Sequence, residues 1–174
     1  DEFGTADADT LSVARVKLGV LRESSVGIIA TEGDPGSNID NSLTGFDFLY
    51  RNSRLPGGKR LESELWFQQS ETEGLVDDDA AFGVGIRLPS AVGVRGGAQF
   101  RRYEQNFNPA LGFLNRRGVT DATFDVGYTL WPSGGPVQKW LMTFDGRQIK
   151  RIDGGVQSES LNFRPIDITN HSGD

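Results

Sequence analysis

The side chains that could do chemistry are few, and their spacing is that of strands. Glu62 and Glu64 stand two apart, so both carboxylates fall on one face of an extended segment. Paired carboxylates are the machinery of glycoside hydrolysis; a solvated or lumen-facing strand is the plainer reading. Asp77, Asp78 and Asp79, with Glu71 and Glu73 upstream, offer oxygens to calcium but lack the spaced ligands and the glycine of an EF-hand loop. A solvated acidic loop is the simpler account. Asp34, Asn38 and Asp40 form a smaller set of the same kind, with turn capping as the default. Gly83-Val-Gly85 and Gly93-Val-Arg-Gly-Gly97 suggest a phosphate loop. Leu88, however, occupies the place of the third glycine of GxGxxG, and no helix follows. Strand glycines more often permit curvature or close packing.

Absences narrow the chemistry further. The chain of 174 residues contains no cysteine, which removes disulfides, thiolate nucleophiles and zinc ribbons. Its one histidine, His171, lies three residues from the end, a poor centre for a catalytic triad or a multi-histidine metal site. Neither cofactor nor metal is expected, and catalysis ranks last among the functions considered. Acidic residues number 24 against 18 basic, a net charge of -6. With no basic run, nucleic acid is not an expected partner.

These residues must be positioned by strands. Apolar side chains recur with a period of two, not 3.6. Ala14, Val16, Leu18 and Val20 alternate with Arg15 and Lys17. Phe46, Phe48 and Tyr50 oppose Asp47 and Arg51; Leu61, Leu65 and Phe67 oppose Glu62, Glu64 and Gln68. Phe82, Val84, Ile86 and Leu88 oppose Gly83, Gly85 and Arg87; Val94, Ala98 and Phe100 oppose Arg95, Gly97, Gln99 and Arg101. Phe124, Val126 and Tyr128 oppose Thr123, Asp125 and Thr129. Two more strands are expected, over 138–153 with an interruption at Asp145-Gly146, and over 156–169. Asp145-Gly146 and Asp153-Gly154 read as hairpin turns or bulges, and a single helical turn is allowed near Asn108 to Phe113. The fold expected is all-β: an antiparallel up-and-down meander of about nine long strands, barrel-like or an open curved sheet. Its span is 12–169, between an N-terminal extension (1–11) and a C-terminal tail (170–174). The chain starts at Asp1 without a methionine, so a processed or truncated product is expected.

What the apolar face meets is not decided by alternation, which looks the same against lipid and over a soluble core. Most segments approach the ~9–11 residues of a tilted transmembrane strand and exceed the ~5–6 of a typical soluble one. Aromatic residues sit near strand ends: Tyr50, Phe67, Phe100, Tyr103, Tyr128 and Trp131. Short connections at 22–25 and 89–91 partly alternate with long ones at 33–41 and 70–79. Both features suit an outer-membrane barrel.

The stretch Arg102-Tyr-Glu-Gln-Asn-Phe-Asn-Pro-Ala-Leu-Gly-Phe-Leu-Asn-Arg-Arg-Gly118, with its centre Phe107 to Phe113 followed by Arg116, resembles the strand-loop-strand signature of an uncharacterised bacterial outer-membrane β-barrel family. In that family the barrel often follows a domain like the family-nine carbohydrate-binding modules. Ala14-Arg-Val-Lys17 with Glu23 to Ile29, and Asp145-Gly-Arg147, are similar too. The resemblance implies a cell-envelope location, in outer membrane or periplasm, and no settled activity. Residues 1–11, ahead of the first expected strand, are too few to form a carbohydrate module, and the last segments, with Asp153, Glu159, Arg164 and Asp167, are more polar than lipid-facing strands.

The leading expectation is a non-enzymatic, structural cell-envelope protein resembling a segment of an outer-membrane barrel. The runners-up are an accessory subunit packed on the periplasmic side of a larger membrane-bound complex, and a saccharide-binding module. The candidate lumen or partner face comprises Arg15, Lys17, Glu62, Glu64, Trp66, Arg87, Arg95 and Arg101, with opposite charges expected to pair. Trp66 is out of place there, as a sugar platform or as an anchor under a loop. Tyr103, Trp131 and Trp140 are candidate interfacial anchors. Open sheet edges call for a protein partner or self-association, and membrane association is expected.

Overall fold

Alternating side chains and turn-forming breaks produce one antiparallel sheet in sequence order. The computed structural model describes residues 10–37 and 39–170. Among the described residues there are nine strands: β1 (Ser12–Val20), β2 (Ser24–Glu32), β3 (Asn41–Leu55), β4 (Lys59–Thr72), β5 (Ala80–Leu88), β6 (Gly93–Tyr103), β7 (Val119–Leu130), β8 (Val137–Arg151) and β9 (Val156–Asn170). Each pairs with its chain neighbours, leaving β1 and β9 as edges of a sheet that does not close. The all-β meander expected from the alternation is therefore present, in its open form.

Several local details differ from the expectations. Asp145-Gly146 is neither turn nor bulge: both residues lie inside β8, in register with Asp125 and Phe124. Glycine is needed there because a Cβ would stand 2.6 Å from the Phe124 ring. Asp153-Gly154 does turn, with Gly154 and Gly155 at φ 117° and 83°, a backbone open to glycine. The Asn108–Phe113 segment forms turns and bends rather than a helix; among the described residues the one helical turn is the 3-10 segment Pro56–Gly58. β3 and β4 run past their alternating parts, because Leu55 still pairs with Lys59 across a register shift. Residues 1–9 of the expected extension, His171 with the rest of the tail after Asn170, and Asn38 lie outside the described residues.

The connections sort by end. Residues 21–23, 56–58, 89–92 and 131–136 join strands at one end, and 33–40, 73–79, 104–118 and 152–155 at the other. The first set is short throughout; the second holds the three longest. These long loops are stitched together by backbone bonds, Glu73 N to Asp40 O at 2.9 Å and Asn106 N to Asp78 O at 2.7 Å among them.

The two faces are buried unequally. On the apolar face Phe46, Val84, Val126 and Phe163 are 47%, 49%, 53% and 68% exposed. On the polar face, large side chains lie across glycines of the next strand: Asp47 over Gly27, Gln68 over Gly45, Trp66 over Gly83, Glu64 over Gly85 and Arg95 over Gly127. A sheet that curls toward one face crowds that face and splays the other, and glycine relieves the crowding.

Candidate functional site

The polar face is the surface with chemistry on it, and strand register decides what meets there. Arg15 of β1 reaches Asp47 of β3 across Gly27, with Nη2–Oδ2 at 2.9 Å. Glu62 of β4 takes Arg51 at 3.0 Å and Arg60 at 3.3 Å. Glu64 accepts from the Gln99 amide of β6. The two carboxylates thus share a face as the spacing requires, but each already holds a partner. Arg147 of β8 grips Asp121 of β7 with two bonds, Nε–Oδ1 at 2.9 Å and Nη2–Oδ2 at 2.6 Å.

The pairing expected within the candidate set is only partly realised. Arg15 finds Asp47, but Lys17, Arg87, Arg95 and Arg101 have no ion pair among the described residues. Their cross-strand neighbours explain this: Lys17 faces Gly27, Arg95 faces Gly127, and Arg101 stands between Gly83 and Asp121, whose carboxylate Arg147 already holds. Glu62, the register partner of Arg87, is taken by the two arginines from the turn side. Arg87, Arg101, Glu62, Glu64, Gln99 and Asp125 line a shallow groove of about 320 Å³ on this face.

At the long-loop end the polar face turns apolar and is covered. Phe107 is 1% exposed, packed with Leu43 and Ala81, with Ile29, Trp66, Tyr103 and Leu114 around it. Trp66 and Tyr103 lie with ring centres 6.0 Å apart, and Tyr103 and Phe107 at 6.4 Å. Trp66 is therefore an anchor under a loop. Tyr103 belongs to the same inner cluster, and so does not stand on the outer rim. The loop 104–118 is held by polar bonds as well: the Ser70 hydroxyl accepts from Asn108 N at 2.8 Å, and Asn41 Nδ2 donates to Asn108 O at 3.1 Å. Asn106 Nδ2 donates to the Val76 and Asp77 carbonyls. A cavity of about 440 Å³ remains between this loop and the sheet, lined by Trp66, Phe113, Leu114, Gln68 and Arg101 among others.

The remaining candidates resolve locally. Trp131, in the 131–136 turn, donates Nε1–H to the Ala91 carbonyl at 3.0 Å, tying two short turns together. Trp140 stands on the apolar face between Leu130 and Ile168. Asp34 caps its own turn, accepting from Gly36 N and the Ser37 hydroxyl. Among the described residues, no group of three or more acidic or histidine side chains is arranged to hold a metal.

Residue spacing did not single out Phe107, Asp121 or Arg147. A signal for the latter two existed: Asp121 alternates on the polar face of β7, and Arg147 lies two residues from Ile149, the register partner of Asp121, on that same face. Phe107 lay inside an irregular loop, where no period assigns a direction. Compared with protein families, curated proteins and solved structures, the chain matches none.

Proposed function

We propose that this chain is a non-enzymatic wall segment of an outer-membrane-type β-barrel, its apolar face toward lipid and its polar face toward the interior. The observation that carries this reading is the path of the exposed apolar belt. The hydrogen-bonded row that begins at Leu18 passes Val26, Phe48, Leu65, Val84, Phe100 and Ala122, then ends at Gln148 and Glu159. The belt does not follow it. In β8 and β9 most of the exposed apolar side chains, Trp140, Met142, Phe144, Leu161, Phe163, Ile166 and Ile168, lie displaced toward the short turns, with Val156 at the other end. A belt level with a membrane must cut obliquely across the strands, because barrel strands tilt by ~35–45°.

Three further features support it. Tyr50, Tyr128, Trp131 and Trp140, the Tyr and Trp residues outside the inner cluster, all gather toward the short-turn end, where an interfacial girdle belongs. Short turns at one end and the three longest loops at the other match periplasmic and external sides. The inner face is polar and carries an inward-folded loop. This reading places the protein in the bacterial outer membrane.

Single cysteines test it cleanly, since the chain has none of its own. In native membranes, cysteines replacing Phe46, Val84 and Val126 are expected to react with a lipid-soluble maleimide and resist a water-soluble one. Cysteines replacing Asp47, Gln99 and Thr123 are expected to escape the lipid-soluble reagent. A chain that fractionates as a soluble monomer without detergent, with its apolar-face cysteines open to the aqueous reagent, would overturn the proposal.

A further inference from the structure

The two edges of the sheet are not alike. β9 carries Pro165, which has no N–H to give, and pairs with β8 through three register shifts. Proline and bulges are the usual means of blunting an edge. β1 has neither. It pairs with β2 through nine consecutive residues without a shift, so its outer backbone groups form one straight row. Val16 and Leu18 stand 51% and 61% exposed on one side of that row. On the other side are Arg15, already joined to Asp47, and Lys17, which faces Gly27 and has no partner among the described residues.

We infer that β1 is a strand-accepting edge, and that its occupant is an antiparallel strand of a different sequence, apolar opposite Val16 and Leu18 and acidic opposite Lys17. Main-chain hydrogen bonds supply the affinity of such an added strand, and alternate side chains supply the specificity. A second copy fits poorly in both arrangements. Pairing β1 with β1 of a copy in full antiparallel overlap sets Arg15 opposite the copy's Lys17, and like charges across strands repel. Pairing β1 with β9 of a copy is parallel, because β1 and β9 run the same way in a nine-strand up-and-down order. It also brings the proline-bearing strand to the straight edge. An acidic alternating strand meets neither objection.

The inference goes beyond the membrane reading and stands on the edge alone. The full chain in detergent micelles is titrated with a fluorescent peptide of alternating valine and glutamate, and with one of alternating valine and lysine. Anisotropy reports binding, and amide hydrogen exchange reports its place. The valine–glutamate peptide is expected to bind saturably and to slow exchange in β1 but not in β9. Lys17→Glu is expected to reverse the preference between the peptides, weakening the acidic one by about ten-fold. Equal affinity for both peptides, indifference to Lys17→Glu, protection confined to β9, binding of neither, or β1 protection from dimers of the chain would each overturn it. A chain that proves soluble in buffer yet takes the peptide sinks the membrane reading and keeps this one; failure of the peptide on a membrane-embedded chain does the reverse.

Discussion

Gly83 and Trp66 face each other across β4 and β5, and the indole lies over the glycine so closely that a Cβ would stand 2.5 Å from its nitrogen. The indole, packed beside Tyr103, must shift to admit that Cβ. Gly83→Ala is expected to destabilise the sheet by about 1–3 kcal/mol, the usual cost of overpacking, measured by urea unfolding in micelles through tryptophan emission. Gly19→Ala is the control, since nothing stands within 4 Å of its added Cβ; it is expected to be neutral. A second residue-scale prediction concerns pH. The hydrogen bond from the Ser53 side chain, with help from Arg54, holds the Glu23 carboxyl below its ordinary pKa of 4.5. A lowered folded-state pKa means stabilisation that is complete above the unfolded value and fades as pH falls through the folded one. The Ser53 amide, which donates to Glu23 Oε2 at 3.0 Å, is expected to lose exchange protection over that acid range, and Glu23→Gln to abolish the dependence. At this scale the sequence showed which residues share a face. It did not show which glycine would lie under which ring, because that depends on register.

The loop 104–118 behaves as an element in its own right, with one apolar plug and a surrounding set of polar ties. Phe107→Ala removes the plug and is expected to cost about 3–5 kcal/mol of loop docking. Limited proteolysis is the measurement: cleavage is expected within 104–118, while β3 to β6 keep their exchange protection. Coupled unfolding of the whole sheet would contradict the separateness of this element. The resemblance drew attention to this stretch, yet alternation could not say that it folds inward. An irregular loop has no period from which to read a direction. What turns it inward is a tertiary coincidence, the apolar patch made by Ile29, Leu43, Trp66 and Tyr103 from four different strands. The strands fared the other way. Their order and approximate limits were legible, apart from the polar ends of β3 and β4 and the uninterrupted passage of β8 through Asp145-Gly146.

At the scale of the whole molecule, the exposed apolar belt sets the expectation. An arginine on a lipid-facing strand costs ~2–4 kcal/mol at mid-membrane and far less near the interface, while the same change on a wet surface costs little. Leu65→Arg is therefore expected to block membrane integration, and Thr123→Arg on the polar face to leave it intact, as read by extraction with alkaline carbonate. Equal behaviour of the two variants would remove the distinction between the faces on which the membrane reading depends.

The amino-acid sequence by itself determined that this chain is a meander of two-sided strands, because side chains alternate and glycine, proline and acidic breaks end each run. Only the tertiary structure decided which polar-face side chains lie over glycines of the next strand, that the apolar belt crosses the strands obliquely, that Phe107 turns inward and that β1 and β9 stay apart. Period two assigns each residue to a face. Curvature, stagger and closure are sums over strand-to-strand register, and register arises between segments, so no single segment carries it.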